Sequence, residues 1–313
     1  MKIRGKYKKL NPLYIFYVVM GCLAAAAPVR MYQLLNIIEV GTGFYKVVDG
    51  SVYLMYALTL ATIIAIYVLV TLAKDIPASK APYKKSILLA VCSILFALGL
   101  ILDVITLIAS FGASTAFSHF TLSMEIVPTV FEVVFGTLSA IYIMVVGISY
   151  LNGRIVYLRY KFMALTPLFW SMSRIVARFI RKIAYVNVSD LMLEIFAIVF
   201  MMVFFLAFAR ISSGLSNRKA MRSLFASGFV SVFLCLTANI PRLIMLLTGH
   251  IDRIPTEYPF AFCDFAFAFF AMAYILHSIR SMHVNDSAEL NANSEQPDEE
   301  NKDDAEDAAD LSE

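Results

Sequence analysis

The chain has 313 residues, of which 60% are hydrophobic and 16% charged, with a formal net charge of +3. Its mean hydropathy of +0.76 and a charged fraction well below the roughly 25% of soluble domains exclude an ordinary soluble domain. They predict an integral membrane protein. The apolar runs are continuous and do not alternate with polar residues, which indicates transmembrane helices and not barrel strands.

Eight apolar runs are long enough for a transmembrane helix, which needs about 20 residues. They lie at 12–30, 51–73, 86–110, 126–150, 162–180, 189–209, 223–248 and 258–279. The sequence therefore predicts an all-α integral membrane protein with eight transmembrane helices, in a polytopic domain over residues 1–283. The first run follows a basic start, as in a signal peptide, but Pro28-Val29-Arg30 is a poor cleavage site, so we interpret the run as a retained span.

Basic residues orient the predicted bundle through the positive-inside rule. Seventeen bases fall on the side of the N-terminus and five on the opposite side. We therefore expect both termini to be cytoplasmic. The basic face then lies against anionic lipid headgroups of the bilayer, and nucleic acid binding is not needed to explain it.

The fifth run, 162–180, allows two interpretations. Arg174, Arg178 and Arg181 follow each other at i, i+4 and i+7, which is one face of a helix, so the segment could be a basic amphipathic helix lying on the membrane surface. That arrangement would reverse every later segment and move the bases of the sixth connection to the outside. The charge rule therefore favours a spanning helix.

Seven charged residues lie inside the apolar runs. An ionised side chain near the bilayer centre costs about 2.5–3.5 kcal/mol even on the lenient insertion scale, so it usually has a partner or a function. In the predicted orientation most of them lie roughly 7–11 Å below the outer surface, at 1.5 Å per residue. They are Asp103, Glu132, Arg174, Arg178, Glu194, Arg242 and Asp264, and the polar Asn239 accompanies them next to Pro241.

This layer of charge supports two hypotheses of function. In the first, the eight residues line an outward-facing polar vestibule for a small zwitterionic or ionic ligand, as in a transporter-like or ligand-sensing protein. In the second, the charges are buried clasps of a non-transporting subunit or scaffold, which join helices within the chain or to another membrane protein. The sequence has no nucleophile–base pair, metal-ligand spacing or cofactor motif, so we expect neither an enzyme nor a cofactor.

Two further features concern the organisation of the chain. The fourth and eighth runs share a spacing of acid, acid and tyrosine, with Glu125, Glu132 and Tyr142 against Glu257, Asp264 and Tyr274, which suggests a 4+4 tandem repeat. Residues 284–313 contain twelve acids and one lysine. Such a composition predicts a disordered acidic cytoplasmic tail.

The first outer connection is apolar for a loop, and it carries a resemblance. Residues 31–39 predict either a short interfacial or re-entrant helix or an interface-anchored loop, ended by the glycines of Gly41-Thr42-Gly43. Arg30-Met-Tyr-Gln-Leu-Leu followed by Thr42-Gly-Phe-Tyr resembles a segment of uncharacterised multi-spanning membrane proteins of Gram-positive anaerobic bacteria. The resemblance covers about 16 residues. It implies a bacterial plasma membrane and brings no activity with it.

Overall fold

The structure, a computed structural model, describes residues 13–40, 45–73, 85–115, 126–153, 159–180, 188–215, 218–255 and 259–295. These residues form an all-helical bundle. Its helices are α1 (Leu13–Tyr32), α2 (Gly50–Leu72), α3 (Ile87–Thr115), α4 (Ile126–Asn152), α5 (Thr166–Ile180), α6 (Val188–Ser212), α7 (Arg218–Leu247) and α8 (Phe262–Glu295). A π-helical turn, Gln33–Ile37, follows α1, and 3-10 turns at Met163–Leu165 and Ile251–Arg253 precede α5 and α8.

Seven of these helices, all except α5, are long and apolar enough to cross a membrane within the described part of the chain. Each overlaps one of the predicted spans. The helix in the fifth predicted span has 15 residues, about 22 Å at 1.5 Å per residue, against a hydrocarbon core of about 30 Å. It begins at Thr166-Pro167, where proline is tolerated because the first turn needs no backbone N–H donor.

Helix α5 is amphipathic with its polar side turned into the protein. Its exposed residues are all apolar, whereas Arg174 is only 4% exposed. They are Phe169, Met172, Val176, Phe179 and Ile180. A helix on a membrane surface would bury its apolar side in lipid and turn its basic side to water. The arginines of α5 instead face the other helices of the bundle.

The helices alternate in direction along the chain. A Cβ on Gly136 of α4 would meet Val104 of α3, and one on Gly147 would meet Ser93, so α3 and α4 are antiparallel. Ion pairs join the ends of α1, α5 and α7 to the start of α6, and a hydrogen bond from Gln33 to Ser51 joins the end of α1 to the start of α2. Gly99 and Phe96 of α3 meet Cys263 and Phe267 of α8, so these two helices are antiparallel as well. The odd-numbered helices therefore end, and the even-numbered helices begin, at one end of the bundle, which we call the distal end.

The core of the bundle is aromatic, and Phe96 of α3 lies at its centre. Its ring contacts those of Trp170 in α5, Phe205 in α6, and Phe267 and Phe270 in α8, at centroid distances of 5.5–6.3 Å. Rings at these distances contribute to stability beyond the area they bury. This core joins four helices and lies on the side of the buried charges that is away from the distal end.

The first connection packs over the distal end. Helix α1 continues past its predicted end at residue 30 to Tyr32 and passes directly into the π-helical turn. Leu34 and Ile38 then pack against Met245 and Ile254 in a small apolar cluster. The segment is therefore a packed continuation of α1, and it is neither a separate helix nor a plain loop.

The C-terminal helix is longer than its predicted span. Helix α8 continues to Glu295, past residue 284, where the tail was predicted to begin. Ala288, Glu289 and Leu290 are good helix formers, and extending an existing helix avoids the cost of nucleation. The remaining tail, 296–313, lies outside the described residues, as do Glu125 and Glu257 of the predicted repeat, so the 4+4 duplication stays a prediction.

Candidate functional site at the distal end

Three helices meet at a buried aspartate, in a cluster that we call the Asp190 clasp. Asp190 lies in the first turn of α6, where the helix dipole favours a carboxylate. Its Oδ1 accepts hydrogen bonds from Arg30 of α1 and from Arg242 of α7, the latter at 3.0 Å. Arg30 also donates to Oε1 of Gln33 at 2.9 Å. The clasp thus joins α1, α6 and α7 through groups that are all at least 94% buried.

A second cluster, the Arg174 clasp, joins α5, α6 and α8. Arg174 binds Asp264 through both guanidinium NH2 groups, one at 2.9 Å, and lies 5.5 Å from the centre of the Trp170 ring. Such two-point pairing fixes geometry as well as charge. Oε1 of Glu194 lies 3.7 Å from a guanidinium nitrogen of Arg174. The same oxygen accepts a hydrogen bond from the guanidinium of Arg178 at 2.5 Å.

The two clasps are adjacent because of their spacing on α6. Asp190 and Glu194 are four residues apart, so they lie on one face of the helix, one turn above the other. Arg174 and Arg178 have the same spacing on α5. Asp103 of α3 interacts electrostatically with Arg174 and brings a further helix into the layer.

A cavity of about 400 Å³ lies between these groups at the distal end. Five charged residues line it: Asp103, Arg174, Arg178, Glu194 and Arg242. The rest of the lining includes Gly99, Leu102, Thr106, Cys263 and the segment 259–262, where the chain enters α8. Its volume falls in the lower part of the range of small-molecule sites. The charged layer is therefore both a set of ion pairs and the wall of a cavity.

The structure brings most of the predicted site residues together. Beyond the five that line the cavity, Asp264 binds Arg174 directly. Glu132 is buried in α4, at 4% exposure, one turn before Gly136, which neighbours Trp170, and it does not line the cavity. Asn239 does not line the cavity. Its side-chain NH2 donates a hydrogen bond to the Cys235 carbonyl at 3.0 Å, and its Oδ1 accepts one from the Ala261 N–H at 3.1 Å. It thus ties α7 to the start of α8.

Sequence reasoning missed Arg30, Gln33 and Asp190, which are among the most buried polar residues of the bundle. Each was expected at or outside the end of a predicted span, where charge needs no explanation. The available signal was the apolar composition of residues 31–38, which allows α1 to continue and carries Arg30 inside the bundle. Two acids four residues apart at the start of α6 were a second signal.

Among the described residues, no group of three histidine, cysteine, aspartate or glutamate side chains is arranged to hold a metal ion. No protein-family model, curated protein or solved structure matches this chain.

Proposed function

We propose that this chain is a multi-pass plasma-membrane protein that binds a small polar or ionic ligand in the cavity at its distal end, as a transporter-like or ligand-sensing protein. One observation carries the proposal: five intramembrane charges from four helices surround a single cavity of about 400 Å³. Charges that served only to join helices would need no cavity between them. Buried ionisable residues at a cavity are typical of ligand pathways in membrane proteins.

The orientation proposed for the protein turns the distal end outward. The connections at the opposite end carry most of the bases of the chain, and such loops stay in the cytoplasm. The cytoplasmic face would contact anionic lipid headgroups, and both termini would be cytoplasmic. The short resemblance around Arg30 and Thr42 supports a bacterial cell as the source.

The alternative is a non-transporting subunit or scaffold of a membrane complex. The pairing supports it, since all four arginines of the two clasps bind a carboxylate. Buried pairs of this kind can fix which helices meet without adding stability. In that case the cavity would be sealed from water, and the two functions therefore differ in the access of water-borne solutes to the charged layer.

Cysteine labelling from outside the cell tests this access. Thr106 lines the cavity, whereas Ile105 is 54% exposed without lining it, so it would face lipid. In a chain whose native cysteines are replaced by alanine, Thr106→Cys should react with a small anionic methanethiosulfonate added to intact cells, and Ile105→Cys should not, because thiols in lipid do not meet a charged reagent.

Ile105→Cys is a matched control, because it lies on the same helical turn and changes a side chain of similar exposure. Membrane insertion of both variants is checked by surface biotinylation of a tagged chain. Labelling of Thr106→Cys only after the cells are opened would contradict the outward orientation. Failure to label it on either side would favour the sealed scaffold.

A further inference from the structure

The charges of the two clasps and Asp103, taken together, are balanced in sign. The two clasps and Asp103 contain four arginines and four carboxylates. A ligand with a net charge would add an uncompensated charge to a buried, low-dielectric place, which is costly. A ligand that carries one charge of each sign keeps the balance.

Two residues that line the cavity each have a hydrogen-bonding atom without a partner, one an acceptor and the other a donor. Oε2 of Glu194 and Nε of Arg242 are buried and have no hydrogen-bond partner among the described residues. A buried group without a partner keeps its full desolvation cost. Since the terminal torsion of a glutamate is broad, a small rotation turns Oε2 toward a donor in the cavity. Both atoms have less than 1 Å² of accessible surface, so a ligand reaches them only when the two side chains turn toward the cavity. In that arrangement Glu194 offers an acceptor for a cation, and Arg242 offers a donor for an anion.

The ion pair between Arg178 and Glu194 is the one best suited to exchange with a ligand. Its side chains are 23% and 13% exposed, against 5% and 8% for Arg174 and Asp264 and 1% for both Arg30 and Asp190. The buried pairs provide a fixed frame, while this partly exposed pair can separate at lower cost. A ligand with two opposite charges replaces each lost contact with a new one.

Apart from Thr106, the remaining walls of the cavity are apolar. Leu102 of α3 and Phe260, Phe262 and Cys263 at the start of α8 line it together with the charges. A mostly apolar wall with a few convergent polar groups is typical of small-molecule sites, and the volume is near the lower limit for them. The ligand that fits is compact and has an apolar part beside its charged groups.

We propose that the ligand is a small zwitterion with an apolar side group, of the α-amino acid type, whose ammonium binds Glu194 and whose carboxylate binds Arg242 and Arg178. This assignment rests on the proposed function, because it names the ligand of the same cavity. It places the two charged groups of the ligand between the Asp190 clasp and the Arg174 clasp, and the apolar group against Leu102 and Phe260.

Matched sets of probes test the assignment on the purified full chain in lipid nanodiscs. L-leucine is compared with 4-methylpentanoate, which lacks the ammonium, and with 3-methylbutylamine, which lacks the carboxylate; L-alanine and L-phenylalanine are compared with their corresponding acids and amines. Binding to the folded chain raises the melting temperature by an amount that grows with the ratio of ligand concentration to Kd. We expect at least one amino acid to bind about tenfold or more tightly than both of its analogues, because each analogue leaves a charged group of the site unpaired.

Glu194→Gln identifies the ammonium partner. It should weaken binding of the amino acid about tenfold or more and should not weaken binding of the matching acid, because the acid then has no Arg178–Glu194 ion pair to separate. Asp252→Asn, an acid-to-amide change at a side chain that is 74% exposed, is the matched control and should bind as the wild type does. The assignment is overturned when an acid or an amine binds as tightly as its amino acid, or when none of the nine probes binds at millimolar concentration. In either case labelling of Thr106→Cys still reports separately on whether the cavity is open.

Discussion

Replacing Asp190 by asparagine is expected to destabilise the bundle more than any other neutralisation of a single charge. Asp190 is the shared partner of Arg30 and Arg242, and the three side chains are between 1% and 6% exposed. Its loss leaves two buried guanidinium groups that repel each other with no carboxylate between them. Breaking a buried pair by removing one partner costs about 3–5 kcal/mol, and here two pairs are broken at once. The measurement is the melting temperature of the purified full chain.

Asp252→Asn is the matched control for this change. Asp252 is 74% exposed and lies 3.8 Å from Arg253, and exposed pairs of this kind contribute about 0–1 kcal/mol. Adding Arg30→Gln and Arg242→Gln to Asp190→Asn should recover much of the lost stability, because no unpaired charge remains. Equal and small effects of Asp190→Asn and Asp252→Asn would show that the Asp190 clasp does not hold the three helices.

Arg174→Gln is the second change with a large expected effect. It leaves the carboxylate of Asp264 buried at 8% exposure and removes the cation that also faces Glu194 and Asp103. We expect a loss of about 3–5 kcal/mol, read as a lower melting temperature. Arg253→Gln, at an exposed arginine, should have almost no effect.

A double-mutant cycle measures the interaction energy between Arg174 and Asp264 apart from their contacts with other residues. Arg174→Gln combined with Asp264→Asn should cost clearly less than the sum of the two single changes, because neither partner is left charged and alone. A charge swap, Arg174→Asp with Asp264→Arg, should recover less, since an acid at position 174 would face Glu194 and Asp103. Simple additivity in the cycle would mean that the two side chains do not act as a pair.

The helices and most of the charged layer could be predicted from the sequence. Long apolar runs define where helices form, since backbone groups in a membrane must be satisfied within the helix. A charge such as Asp264 inside such a run stands out because a charged side chain is costly in the membrane. The prediction of one shared depth followed from alternating helix directions, and the contacts of Arg174 with Glu194 and Asp264 agree with that layer.

The partners within the layer could not be predicted. Apart from the acids of its first two turns, helix α6 has no distinct polar side, so its sequence pattern does not tell which helices its faces meet. The pairing of Asp190 with Arg30 depends on that rotation and on the continuation of α1 beyond residue 30. For the same reason, Asn239 was grouped with the ligand residues, although its amide binds Cys235 and Ala261.

Cysteine chemistry at position 263 tests most directly whether the ion pairs surround an open cavity or a sealed clasp. Cys263 and Cys235 are both buried, at 4% and 1% exposure, but Cys263 lines the cavity next to Asp264 and Cys235 does not. With each as the only cysteine of the full chain, Cys263 should react with a small anionic methanethiosulfonate in water but not with a polyethylene-glycol maleimide, and Cys235 should react with neither. Reaction of Cys263 only with a small apolar maleimide, and never with the charged reagent, would contradict a cavity that water-borne ligands enter.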